Sequence, residues 1–195
     1  MITNATMIQY FNEGNMEKLK EALEKNVREE AVKVTGRKTN KLKLAEKFFK
    51  GIDDYRPNLK GSAVDKDGNY VFCDGFRMIW SKEDFGLPVI PKERAFNVDS
   101  FFESLERNYR NKPHYEVKVS DILEDLTVHT KTHKKTERAP FTIKYNDDFI
   151  LINGHWLLDA IKFSEAETLD IISDRAPVVL RGKDGYNALV LPIRE

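Results

Sequence analysis

Apolar and polar positions divide the chain into a helical opening and a strand-rich remainder. Met16, Leu19, Leu23, Val27 and Ala31 recur at helical spacing behind Asn15, a good N-cap, and Gly36 is placed to end that helix in a left-handed conformation. A second helix is predicted over 42–52 from Leu42, Ala45, Phe48, Phe49 and Ile52, with Gly51 near its end and Pro57 beyond. From about Leu59 the period becomes two. Asp67-Gly68 is a hairpin signal between LKGSAV and NYVFC, and Phe76, Met78 and Trp80 alternate with Arg77 and Ile79. The two prolines of GLPVIPKERAF predict a crossing segment. Asn97 then caps a helix with Val98, Phe101, Phe102, Leu105 and Tyr109 on one face.

Three more strands are predicted where Tyr115, Val117 and Val119 alternate, then Leu126, Val128 and Thr130, then Phe141, Ile143 and Tyr145. The C-terminal stretch reads as strand DFILIN, Asn153 as cap, helix GHWLLDAIKF, and strands LDIIS, PVVLR and, after the Asp184-Gly185 turn, YNALVLP. Helices near 42–52, 98–109 and 154–164, each followed by strands, suggest a repeated supersecondary unit. The expected class is α+β.

Composition narrows the field only a little. With 195 residues, 41% of them hydrophobic, the chain can bury a sizeable core as one large domain or two small ones. Lys+Arg and Asp+Glu balance at 32 each, so any basic surface must come from local clustering. The single cysteine, Cys73, excludes a disulfide framework and a cysteine-based zinc cluster. No apolar run is long enough to span a bilayer, and the opening residues lack the pattern of a secretion signal, so the expectation is a cytoplasmic protein with no membrane partner.

Two stretches carry a family resemblance. In INGHWLLDAIKF and the strands after it, Asn153, Trp156, Leu157, Leu158, Asp159, Ala160, Ser173, Asp174, Pro177, Leu191, Pro192, Ile193 and Arg194 fall in register with the end of the bacterial sliding clamp, the DNA polymerase III beta subunit. NYVFCDGFRMIW resembles a second clamp strand through Asp74, Gly75 and Arg77, with Cys73, Phe76 and Met78 standing where the family has Thr, His and Leu. The resemblance implies clamp-like units of strand, helix and three strands, repeated over residues 41–195, behind an N-terminal helical extension over 1–40. Residues 41–195 would hold either three half-units or one clamp domain with a segment near 97–138 inserted.

The resemblance further implies a DNA replication accessory that binds and does not catalyse. Its partners would carry short apolar peptides, double-stranded DNA and a second copy of the chain are further candidates, and a bacterial mobile element is a candidate home. A clamp-fold regulatory module that never encircles DNA is the alternative, with a metal-dependent hydrolase behind it. The family's peptide groove, carried over position by position, falls on Gly75, Phe76, Arg77, Met78, Asn153, Trp156, Ala176, Val178, Val190, Leu191, Pro192, Ile193 and Arg194. Arg77 and Arg194 would stand at its rim. Strand ends beside a Gly or Pro leave a concave, partly apolar surface with some backbone groups free, which suits an extended peptide. On periodicity alone, Asp74-Gly75 is a turn, Asn153 a cap and the apolar residues core.

For DNA, the run KVTGRKTNKLK sets Lys33, Arg37, Lys38, Lys41 and Lys43 together with no acid among them, as a phosphate contact would need. A solvated surface is the plainer reading. His129 and His133 have a metal-binding spacing, but no Glu or Cys completes the set, and DKDGN begins like a calcium loop whose closing position is Phe76. No metal, cofactor or catalytic residue is assigned. There is no Gly-rich phosphate loop and no GxSxG elbow, while a pairing of Cys73 with His155 stays open.

Overall fold

The structure, a computed structural model, describes residues 2–48, 55–134 and 139–194, without the side chains of residues 28, 29 and 31–33. Met1–Lys43 and Leu44–Glu195 form two compact units.

In the first unit, helix α1 (Asn4–Asn12) is capped by Thr3, whose hydroxyl accepts from the Thr6 amide. A turn through Gly14 leads to α2 (Met16–Glu46), where the Asn15 carboxamide accepts from the Lys18 amide, as the sequence predicted. Asn26 ties the hairpin together, accepting from the Ile2 amide at 2.8 Å and donating to the Ile2 carbonyl at 3.0 Å. The predicted stop at Gly36 is not observed. The helix runs through this glycine, which lies in open space, so nothing there forces a turn and the interior glycine costs only about 1 kcal/mol. The second predicted helix is therefore the end of α2, and Phe49, Gly51 and Ile52 lie outside the described residues.

The second unit is built on a seven-stranded sheet in the order β1-β2-β3-β9-β8-β7-β4, antiparallel throughout. Its strands are β1 (Ser62–Val64), β2 (Tyr70–Cys73), β3 (Arg77–Ser81), β4 (Tyr115–Lys118), β7 (Thr168–Ile171), β8 (Val178–Arg181) and β9 (Asn187–Val190). The proline-rich segment returns along the edge, where the Ile90 amide donates to the Ser62 carbonyl at 2.8 Å. Alternate residues feed two cores, one on each face. Val71, Met78, Trp80, Val179 and Leu189 pack under α3 (Val98–Arg110), with Trp80 against Phe102. Phe72, Ile79, Val178, Leu180, Ala188 and Val190 face the other side, against α5 (Gly154–Ser164), α4 (Val119–Thr132) and the hairpin of β5 (Pro140–Tyr145) and β6 (Asp148–Asn153).

One predicted strand is a helix. Leu126, Val128 and Thr130 belong to α4, where Val119, Ile122 and Leu126 recur at spacings of three and four and face the core, while Val128 is exposed. The C-terminal unit has the predicted order of strand, helix and three strands. Leu157, Ala160 and Ile161 form the buried face of α5, and Trp156 packs against the same core, half-buried. No helix among the described residues is long and apolar enough to cross a membrane.

Candidate peptide-binding cavity

Three local structures in the second unit meet at one place. The first is the turn between β2 and β3. Asp74 folds back so that its carboxylate accepts from the amides of Phe76 and Arg77, both at 3.0 Å, and Gly75 sits at φ +91°, a conformation that side chains rarely adopt. The turn throws Phe76 outward. The second is the start of α5, where Asn153 accepts from the amides of His155 and Trp156 and so fixes the first helical turn. The Phe76 and Trp156 rings stack there, with centroids 5.2 Å apart. The third is the segment after β9, in which the Leu191 amide donates to the Phe76 carbonyl and the Ile193 amide to the Leu151 carbonyl, both at 2.8 Å.

Together they enclose a cavity of about 360 Å³ lined by Gly75, Phe76, Asn153, Trp156, Arg175, Leu191, Pro192, Ile193 and Arg194. Eight of the thirteen positions carried over from the family line it. Arg77, Met78, Ala176, Val178 and Val190 do not. Met78, Val178 and Val190 are buried in the two cores, because the sheet is covered on both faces along these central strands. Ala176 is half-buried beside the α3 core, in a neighbouring hollow of about 260 Å³ that shares Arg175 with the first. The backbone is also less available than expected, since the amides of Leu191 and Ile193 are already used.

Arg77 is not at the rim. It is buried behind the aromatic wall, its guanidinium bonded to Asp74 at 2.8 Å and to Asp159 at 3.1 Å, and it lies over the Phe48 ring at 4.4 Å and near the Trp156 ring at 5.9 Å. Lys47 completes the network through Asp159 at 2.7 Å. The charge lining the cavity is therefore that of Arg194, which the resemblance supplied, and Arg175, which it did not. Arg175 lies in the loop before β8 and is largely exposed. Neither periodicity nor motif marks such a residue.

The Cys73 and His155 pairing gains no support from its chemistry. Burial pushes the Cys73 thiol up to about 11, so thiolate is scarce near neutral pH. The His155 ring meets the His133 carbonyl at 2.8 Å, while His129 and His133 stack at 4.0 Å. No group of three or more metal-ligating side chains is present among the described residues. In the basic run, all on α2, Lys38 and Lys43 are exposed, Arg37 is half-buried, Lys41 is buried, and the side chain of Lys33 lies outside the description. A buried Lys41 is not offered to phosphate.

No family model matches the chain, and no curated protein matches its sequence. Solved structures do match its fold. A protein of Eubacterium rectale assigned as a DNA polymerase III beta subunit aligns with 80% of this chain at TM-score 0.52 and 13% identity. The DNA polymerase III subunit beta of Borrelia burgdorferi, in complex with a natural product, aligns with 82% at 0.52 and 13% identity. The Bartonella birtlesii sliding clamp, bound to griselimycin, aligns with 81% at 0.50 and 15% identity. The alignments span 63%, 62% and 64% of those chains, so this chain accounts for less than two thirds of a clamp subunit. At such identities the comparison speaks for the fold: this chain is clamp-like, with the fold of the DNA polymerase III beta sliding clamps.

Proposed function

We propose that the chain is a clamp-type binding module that captures a short, extended, apolar segment of a partner protein in the cavity beside Phe76 and Trp156. The observation that carries this reading is the cavity itself. Its volume lies within the usual range of ligand pockets, and it combines an aromatic wall, an apolar floor of Leu191, Pro192 and Ile193, and two arginines. A leucine or phenylalanine anchor would supply most of the affinity, because a few buried side chains dominate such interfaces. The committed amides of Leu191 and Ile193 favour recognition through side chains over strand addition at this point. Neighbours of this fold hold small molecules, griselimycin in one clamp and a natural product in another. A replication accessory role is the setting this reading suggests.

Fluorescence tests it directly. Trp80 is buried under α3 while Trp156 forms the cavity wall, so a titration with an extended peptide carrying leucine and phenylalanine anchors reads Trp156. Saturable quenching or a spectral shift is expected, lost in Leu191→Asp with the melting temperature largely kept. A parent protein that leaves such peptides unbound at millimolar concentration would return these residues to a purely structural role.

A further inference from the structure

Among its described side chains, the Met1–Lys43 unit shows no apolar core of its own. Ala22 is the one buried apolar side chain among those described in it, whereas Ile8 and Phe11 on α1 and Met16, Leu23, Val27 and Val34 on α2 are between 48% and 68% exposed. Helices in water draw most of their stability from packing an apolar face, and pieces of about 40 residues commonly need oligomerisation or another staple. These exposed side chains call for a partner.

On α2 they form a single line. At about 100° per residue, Leu23, Val27 and Val34 fall about −20°, +20° and 0° around the axis from Met16, and at 1.5 Å per residue the stripe is about 27 Å long. Positions 16, 20, 23, 27, 30 and 34 follow the alternating four and three spacing of a coiled-coil seam. Lys20 and Glu30, both exposed, hold the two polar places.

The seam is its own complement when reversed. Pairing each residue with the one equally far on the other side of Lys25 sets Met16 against Val34, Lys20 against Glu30 and Leu23 against Val27. A second copy laid antiparallel across the first would then set each apolar residue against an apolar one, and would form the Lys20 and Glu30 pair twice by symmetry. A parallel, in-register pairing would set Lys20 on Lys20 and Glu30 on Glu30, which opposes it. We propose that α2 is a homodimerisation surface, occupied by a second copy of this chain packed antiparallel along the stripe from Met16 to Val34. This inference is independent of the peptide cavity, which lies in the other unit.

The test is the solution mass of the full-length protein by sedimentation, across micromolar concentrations. The parent is expected as a dimer, and Leu23→Lys with Val27→Lys as a monomer. Lys20→Glu alone should raise the dissociation constant roughly tenfold, since two exposed attractive pairs become repulsive, and Lys20→Glu with Glu30→Lys should bring it back to within about twofold. The charge variants are surface changes, so they carry the test even if the double lysine variant fails to fold. A monomeric parent, or a dimer whose dissociation constant ignores the single charge change or is not restored by the double one, overturns the proposal.

Discussion

Arg77→Leu puts the buried charge network under direct stress. The substitution keeps most of the apolar contact with Phe48 and Trp156 but removes a cation that meets Asp74 at 2.8 Å and Asp159 at 3.1 Å. Breaking a buried pair by deleting one partner costs about 3–5 kcal/mol. Two features reduce that here. Lys47 still compensates Asp159, and Asp74 keeps the amides of Phe76 and Arg77 as donors. A loss of about 2–3 kcal/mol is the result, or roughly 4–12 °C in melting temperature for a protein of this size. Urea unfolding with Asp159→Asn, Arg77→Leu and the double variant isolates the pair, and a coupling above about 1 kcal/mol that persists in 0.5 M salt is expected, because buried charges are poorly screened. A loss below about 0.5 kcal/mol, or a coupling that salt abolishes, would refute the argument and return Arg77 to the solvent-facing rim that the family resemblance assigned to it.

Gly75→Ala should cost about 1–2 kcal/mol in a thermal or urea melt, since the residue sits at φ +91° and the new Cβ would lie 3.3 Å from Nη1 of Arg56. His114 should make stability pH-dependent. The Tyr109 carbonyl and then the Asp170 carboxylate raise its pKa, because these acceptors face both ring nitrogens and only the imidazolium donates to both. Its contribution is therefore fully present below the unfolded pKa of about 6.5 and is lost as pH rises through the higher folded value, so melts from pH 5 to 8.5 should show a decline that His114→Asn removes. For DNA, sequence-independent and salt-steep binding is expected if the basic run touches phosphate, and Lys38→Gln with Lys43→Gln should then flatten the slope of log affinity against log salt by about 1.8. An unchanged slope makes both lysines ordinary solvated surface.

Much of the second unit was legible because its signals are local. Asn97 and Asn153 cap the helices they were expected to cap, and Gly68 and Gly185 take the positive φ that their hairpin turns require. The errors arose where one pattern admits two readings. Leu126, Val128 and Thr130 alternate like a strand, yet the same residues also fit a helix in which Leu126 is buried and Val128 exposed, and only packing against α5 separates the two. Gly36 resembles a helix stop, but a glycine in open space on a long helix breaks nothing. Helix α1 gave no strong periodic signal, and none of its residues is buried.

The cavity divides along the same line. Gly75, Asn153 and Pro192 could be found because each has a backbone task visible in sequence: a left-handed turn, a helix cap, a stop to strand pairing. Met78, Val178 and Val190 could not be separated from them, because alternation along a strand says which residues share a face but not whether that face is covered. Here α3 covers one face, and α5 with the β5–β6 hairpin covers the other, so at this site it is residues at or beyond the strand ends that line the cavity. That is why the lining comes from a turn, a helix start and the segment after β9, and why the exposed loop residue Arg175 joins it unannounced. Recognition at this site would accordingly depend on the Asp74 turn and the Asn153 cap holding Phe76 and Trp156 in their stack, more than on any strand residue beneath them.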